Sequence, residues 1–167
     1  RVHRVYCALH LNLPGRTRRR VPKRIQQPLI AAAGLNTTWG VDFMVDRLYD
    51  GRAFRTLNVI DESNREGLAI EIDTTLPSLR VIAVLEELIA LHGAPKQLRA
   101  DNRPELTSLA LTAWCETRGI QLQYIQPGKP NQNAYIERFN RTLRNELLDM
   151  HLFVRLDDVR EATYWWM

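Results

Sequence analysis

Three acidic residues of this sequence, Asp42, Asp101 and Glu137, could together bind metal ions and act on a phosphate group. Carboxylates that converge on one point repel each other unless cations lie between them, and oxygen ligands with access to solvent suit Mg²⁺ or Mn²⁺. Two such ions about 3.5–4 Å apart would activate an attacking oxygen and stabilise the leaving oxygen of a phosphoryl displacement. The residue types therefore indicate metal-dependent phosphate chemistry, provided that the fold brings the three side chains together.

Each of these acidic residues also has a purely structural explanation when it is taken alone. Asp42 could be a solvent-facing strand residue, and Asp101 could form an Asx turn before Pro104. Glu137 could pair with Arg141, four residues later, and contribute about 0.2–0.5 kcal/mol on a helix surface. The elements that carry the three residues must decide between these explanations.

Glu137 lies in an amphipathic helix that is predicted to begin after Pro130, with Asn131 as its N-cap. The preceding loop has prolines on both sides of Gly128 and Lys129, so it cannot be helix or central strand, and it exposes a cation. Apolar residues then recur at spacings of three and four: Tyr135, Ile136, Phe139, Leu143, Leu147 and Leu148. The opposite face is basic. We expect the following residues of the loop and helix to contact DNA: Lys129, Asn133, Arg138, Arg141 and Arg144.

Asp42 lies in a segment that alternates with period two, as in a strand with one buried face. Trp39, Val41, Phe43 and Val45 point one way, whereas Gly40, Asp42, Met44 and Asp46 point the other. An Asp-Gly turn at 50–51 and a turn at 62–65 then separate two further predicted strands, 54–61 and 67–73. The segment therefore predicts an antiparallel meander of three strands.

The rest of the chain alternates between helices and strands. We predict a helix over 79–92 with Ser78 as a possible N-cap and Gly93 at its end, a strand over 96–100, a helix over 105–118, a strand over 120–125 and a final helix from Leu156. Because a helical crossover makes strands parallel, the order βββαβαβα predicts a mixed five-stranded sheet. Ligands bind at strand carboxyl ends in such sheets, where Asp101 would lie.

The composition is that of a globular chain, with 167 residues, 45% hydrophobic and 25% charged. This length allows one domain and an appendage. No apolar run approaches the roughly 18–20 residues of a membrane span, and no signal pattern opens the chain, so we expect a cytoplasmic protein without a membrane partner. Cys7 and Cys115 are far apart and are expected to be reduced.

Positive charge is concentrated at the beginning of the chain. Residues 1–39 contain eight basic and no acidic residues, whereas all 19 acidic residues follow. Residues 1–13 have helical apolar spacing, and 14–36 resemble a linker with a basic cluster: Arg16, Arg18, Arg19, Arg20, Lys23 and Arg24. Such a cluster can be a solvated tail, but it can also bind a phosphate backbone, because the release of counterions favours that binding. Nucleic acid is therefore the leading partner.

Three motifs closely resemble those of the DDE transposase and retroviral-integrase superfamily, in particular the insertion-sequence transposases of the IS-three group. They are TTWGVDF (37–43), LRADNRPEL (98–106) and QPGKPNQNAYIERFNRTLRNEL (126–147). The 35 residues between Asp101 and Glu137 match the spacing of that family. The segment LNVIDESNREGLAIEID (57–73) also resembles its second and third strands.

The resemblance implies an α/β RNase H-like fold, with Asp42, Asp101 and Glu137 as ligands of two Mg²⁺ or Mn²⁺ ions. It implies DNA strand cleavage and strand transfer at the ends of an insertion sequence, by a homo-oligomer on those ends and the target DNA. Residues 1–36 would be the remnant of a helix-turn-helix region and its basic linker, and 37–167 a C-terminally truncated catalytic core.

The sequence departs from the family pattern at Arg103 and Ala134, where glycine is usual, and at Leu106, where phenylalanine is usual. Arg103 would place a long cation beside the metal site, where it could bind a phosphate or distort a turn that needs positive φ. Two alternatives therefore stay open beside the active transposase. One is an inactive DNA-binding remnant, and the other is a different RNase H-like nuclease.

Overall fold

A computed structural model describes residues 34–126 and 133–167 of the chain. Its centre is one sheet of five strands in the order β3-β2-β1-β4-β5. The strands are β1 Thr38–Arg47, β2 Ala53–Asp61, β3 Gly67–Asp73, β4 Gln97–Ala100 and β5 Gln121–Tyr124. The pairs β1–β2 and β2–β3 are antiparallel, whereas β1–β4 and β4–β5 are parallel. The predicted mixed sheet, a three-strand meander extended by two parallel strands, is confirmed.

In the described part of the chain, four α-helices flank the sheet: α1 Ser78–His92, α2 Leu109–Arg118, α3 Ala134–Glu146 and α4 Leu156–Trp166. The suggestion that Ser78 caps α1 was wrong. Pro77 holds the N-cap position in an extended conformation, and its carbonyl accepts hydrogen bonds from the backbone N–H groups of Arg80 and Val81. Proline supplies no side-chain acceptor, so this helix begins without a side-chain cap.

Helix α2 begins four residues later than the sequence pattern predicted. Residues 104–107 form turns in which the N–H groups of Leu106 and Thr107 donate to the carbonyl of Arg103. The Ser108 hydroxyl then accepts from the backbone N–H of Leu111, at 3.2 Å, and so caps the helix. A serine N-cap therefore overrides the apolar spacing that suggested an earlier start.

The two faces of the sheet support separate apolar cores, and β1 contributes to both. Trp39, Val41 and Phe43 pack with α1 and α2, whereas Met44 points to the other face and packs with α3 and α4. The predicted alternation is therefore correct through Met44. It fails at Val45, which is 51% exposed near the end of the strand. Asp42 points to the same face as Met44, the face that α3 covers.

Gly67, the first residue of β3, allows α3 to approach the sheet closely. A Cβ atom at this position would lie 2.7 Å from the Phe139 ring, well inside van der Waals contact. The Phe139 ring in turn meets Trp166 of α4 edge to face, with 5.5 Å between the ring centroids. These contacts set the height of α3 above the strands.

Several predictions lie outside the described residues. They are the N-terminal helix, the basic cluster of residues 16–24 and Lys129, so their structure stays a prediction. Asn131 also lies outside the described residues, but its predicted role as the N-cap was wrong, because α3 begins at Ala134 with Asn133 in the N-cap position. Within the described part of the chain, no helix is long and apolar enough to cross a bilayer.

Candidate active site

The register of β1 and β4 brings two of the three acidic residues side by side. The strands run parallel, and Val41 pairs with Ala100 at the last position of β4. The next residue in each chain segment is Asp42 or Asp101. Because Val41 and Ala100 both lie in the core of the α1–α2 face, the following side chains turn towards the opposite face. Asp42 and Asp101 are therefore neighbours at the carboxyl end of β4.

Helix α3 is joined to Asp42 by a hydrogen bond from Asn140. The Asn140 Nδ2 group donates to Asp42 Oδ2 at 2.8 Å, and the backbone N–H of Phe43 donates to Asp42 Oδ1 at 2.8 Å. Glu137 precedes Asn140 by three residues, so both lie on one side of the helix. This bond therefore brings Glu137, which is exposed, over the strand that carries Asp42.

Asn140 is itself oriented by a buried side chain of β2. The Asn58 Nδ2 group donates to Asn140 Oδ1 at 2.6 Å, and Asn58 pairs with Asp42 across the β1–β2 hairpin. Asn58 is fully buried, and its own Oδ1 has no partner within the described chain. The sequence analysis missed both asparagines. The spacing of three between Glu137 and Asn140 is the signal that could have found one of them.

The charges of the other two acidic residues reach Asp42. Its pKa is raised to about 6, chiefly because burial disfavours the charged form, while the Phe43 N–H opposes the shift. The negative charges of Asp101 and Glu137 both raise this pKa further, and the positive charge of Arg103 lowers it. The three carboxylates thus form one electrostatic cluster, although such coupling reaches farther than shared metal ligation.

Arg103 occupies the Asp101 carboxylate. Its backbone N–H donates to Asp101 Oδ1 at 3.1 Å, and its Nε donates to Asp101 Oδ2 at 2.9 Å. Within the described chain only Asn36 and Arg65 have positive φ among non-glycine residues, so the turn at Arg103 does not need glycine. The predicted possibility of a distorted turn at this position was therefore wrong.

Carboxylate oxygens are the type of ligand that a hard divalent cation prefers, but the spacing of the described acidic side chains does not form a binding site. Within residues 34–126 and 133–167, no three acidic, histidine or cysteine side chains are grouped closely enough to bind one ion. Asp101 is engaged by Arg103, and Asp42 by Asn140 and Phe43.

The basic residues of α3 divide into two groups. Arg138 and Arg141 are exposed, and the part of the helix that is described shows no ion pair between Arg141 and Glu137. Arg144 instead reaches back to β1, where it contacts Asp46 Oδ2 at 3.2 Å and the Val45 carbonyl at 3.1 Å. Asn133 is only 5% exposed. The expected DNA contacts of Asn133 and Arg144 stay predictions; Asn133 is buried, and Arg144 is paired with β1 while 37% of its side chain stays exposed.

Solved structures with the same architecture are retroviral integrases. The chain aligns with a simian T-cell lymphotropic virus intasome at a TM-score of 0.64 and 21% identity, over 78% of this chain and 47% of that one. It aligns with the HTLV-2 integrase catalytic core domain in complex with magnesium at 0.59 and 20%, over 76% and 82%. The architecture is that of the RNase H-like fold, as predicted.

Sequence relatives come from bacterial insertion elements. A 39.2 kDa protein of insertion element IS476 from Xanthomonas euvesicatoria is 36% identical, and a 31.7 kDa protein of IS407 from Burkholderia multivorans is 37% identical. The alignments cover 99% of this chain but 48% and 60% of those proteins. Family models described as integrase core domain match residues 32–130 and 118–167. The chain therefore belongs to the integrase core family within the superfamily of DDE transposases and retroviral integrases.

Proposed function

We propose that this chain is the catalytic part of a transposase that cleaves DNA strands at the ends of an insertion sequence and joins them to target DNA. One observation carries the proposal: the Val41–Ala100 register and the Asn140–Asp42 hydrogen bond bring β1, the end of β4 and α3 to one edge of the sheet. These are the three elements that carry Asp42, Asp101 and Glu137. The insertion-element origin of the two bacterial relatives supports the same function.

Asp42, Asp101 and Glu137 would bind two divalent ions, Mg²⁺ or Mn²⁺, in this reaction. Such ions supply a polarised oxygen nucleophile and charge stabilisation at the leaving oxygen. Asn140 and Asn58 would hold the Asp42 carboxylate in one orientation, since Asn140 binds its Oδ2 and Asn58 binds Asn140. The magnesium in the HTLV-2 integrase core structure supports this choice of cation.

The exposed cations Arg138 and Arg141, with Lys129 in the loop before α3, would position the DNA strand over the carboxylates. Positioning contributes much of the barrier lowering in phosphoryl transfer. The basic cluster of residues 16–24 would add contacts to phosphates that do not read sequence. One catalytic centre per chain, acting on the two ends of an element, also suggests a homo-oligomer assembled on DNA.

The test is Mg²⁺-dependent nicking of DNA that carries the ends of the element encoding this chain. We expect the 167-residue chain to nick at those ends in Mg²⁺ and not in EDTA, and an Asp101→Asn variant to bind the same DNA without nicking it. Equal nicking by wild type and Asp101→Asn would contradict the proposed centre. DNA of the same length without the ends controls for nonspecific nuclease activity.

The Arg103–Asp101 pair favours a second candidate, a DNA-binding remnant of a transposase without catalysis. The Arg103 guanidinium on Asp101 Oδ2 and the Arg103 backbone N–H on Oδ1 occupy both oxygens that a metal ion would need. This candidate predicts DNA binding in EDTA with no nicking by the wild type or by Arg103→Gly. Nicking by either chain excludes it.

A further inference from the structure

We propose that Arg103 is a tethered cation that competes with a divalent metal ion for the Asp101 carboxylate. The inference rests on the metal-binding role proposed for Asp101. It adds that metal affinity at this centre is set by a neighbouring residue of the same turn, which is not itself a ligand. The guanidinium would thus lower the occupancy of the centre without removing any of the three carboxylates.

Arg103 donates hydrogen bonds to both oxygens of the Asp101 carboxylate. Only Asn102 separates the two residues. The Arg103 backbone N–H donates a hydrogen bond to one carboxylate oxygen of Asp101, and its Nε donates one to the other oxygen. Hydrogen bonds from a charged donor to a carboxylate are roughly twice as strong as neutral ones. Because the donor is tethered two residues from the carboxylate, a metal ion must displace it to bind the same oxygen.

The same guanidinium is held weakly enough to be displaced. Its side chain is 40% exposed, and within the described residues its other nitrogens make no hydrogen bond. The guanidinium carbon also lies 6.0 Å from the centroid of the Phe43 ring. Arg55 lies closer to the same ring, at 4.4 Å, and forms its own ion pair with Glu105.

A second arginine pair shows what a fixed pair looks like in this fold. Arg99 contacts Glu62 at 2.5 Å, and the exposed fractions of their side chains are 16% and 4%. Asp101, by comparison, is 23% exposed and its partner 40%. Solvent therefore screens the Arg103–Asp101 attraction more than the Arg99–Glu62 attraction, and an ion that reaches Asp101 can replace the guanidinium.

The test measures Mn²⁺ binding to the full chain without DNA, from the EPR signal of free Mn²⁺. Arg103→Ala should bind Mn²⁺ about fivefold more tightly than wild type, the size expected when a partly exposed ion pair no longer competes. Arg103→Lys, which keeps the charge but loses the Nε donor, should lie between them. The matched control is Arg118→Ala, which removes a 45% exposed arginine paired with Glu86 and should leave the affinity unchanged.

An Asp101→Asn change in both backgrounds separates this inference from the proposed function. If Asp101→Asn weakens Mn²⁺ binding in both while Arg103→Ala has no effect, competition is refuted and the metal centre stands. If Asp101→Asn leaves Mn²⁺ binding unchanged, the metal centre and the competition are both wrong. Thermal melting in EDTA establishes that each variant is folded, and should Arg103→Ala not fold, the order of wild type and Arg103→Lys decides.

Discussion

The two faces of β1 use the same strand for different purposes. On one face Trp39, Val41 and Phe43 are buried in an apolar core with α1 and α2. On the other face Asp42 is partly buried among polar groups, where Asn58 and Asn140 form a chain of hydrogen bonds to it. Burial of an amide or carboxylate costs free energy that burial of a valine does not. The face towards α1 and α2, the apolar face, therefore contributes to stability alone. The opposite face has an apolar core of its own around Met44, but at Asp42 it is a polar face that holds an arranged carboxylate at a cost in stability.

The largest effect should come from removing any one carboxylate from the polar face. Asp42→Asn, Asp101→Asn and Glu137→Gln each keep the size of the side chain but remove an anionic ligand, so Mg²⁺-dependent nicking should fall by more than about a hundredfold. The fold should persist, as measured by thermal melting. Asp50→Asn, at an exposed turn residue paired with Arg52, is the control and should nick normally. A single carboxylate variant with near wild-type turnover would break the assignment.

On the apolar face, a cavity should reduce stability without affecting chemistry. Leu85 of α1 is completely buried, and Leu85→Ala should lower the free energy of unfolding by about 2–5 kcal/mol. Nicking per folded molecule should be unchanged at a temperature well below the melting point. Leu91→Ala, on the same helix but 78% exposed, is the control and should change stability little. Loss of specific activity in folded Leu85→Ala would mean that the two faces are coupled.

A pH titration in EDTA should reveal the energetic cost of the polar face. The pKa of Asp42 is about 6 in the folded chain, against an ordinary value of 3.8. Between these pH values the folded chain binds more protons than the unfolded chain, so the free energy of unfolding falls as pH rises through this range. Asp42→Asn should remove this loss, at most about 3 kcal/mol at pH 7, and its advantage over wild type should vanish near pH 4. Urea unfolding at pH 4, 5, 6 and 7 measures it. A difference between the two chains that does not depend on pH would contradict the shifted pKa.

Asn140→Ala should have a smaller effect, because the residue orients Asp42 and does not itself supply an anion. Loss of a group that positions a metal ligand typically costs 10–100-fold, so we expect roughly that loss of nicking. Raising the Mg²⁺ concentration should recover part of it if the defect lies in metal affinity. Asn145→Ala, at an exposed position of the same helix, should be neutral. Equal nicking by Asn140→Ala and Asn145→Ala would contradict the proposed role of Asn140 in orienting Asp42.

Local patterns in the sequence predicted the sheet and two of its most informative residues. Alternation placed Asp42 on the face opposite Trp39, and the helical crossovers placed Asp101 at the carboxyl end of a parallel strand. Patterns of this kind work because periods of 2 and 3.6 follow directly from backbone geometry. They could not predict that Asn58 and Asn140 meet at Asp42, since that contact joins β2 to a helix 82 residues later.

The two wrong predictions at the starts of α1 and α2, and the position of Arg144, also show that local patterns do not predict every contact. Ser78 and Ser108 are both serines before an apolar run, but only Ser108 accepts a capping hydrogen bond, because Pro77 already holds the N-cap position of α1. Arg144 follows Arg141 by three residues and was predicted to lie on the same polar face of α3. Arg144 bonds to β1 because the Val45 carbonyl and Asp46 lie within reach, and no helical pattern in the sequence predicts that packing.

Gly67 would extend the requirements of the proposed catalysis to a residue that has no functional group. Any side chain there must push the Phe139 ring away from β3, and that ring is already packed against Trp166. Phe139 lies between Glu137 and Asn140 in sequence, so its displacement would carry both away from Asp42. We expect a side chain at position 67 to lower any cleavage activity by less than the loss of one of the acids, because the Phe139 ring can shift part of the way. Tolerance to substitution at this position is thus decided by the clearance between strand and helix.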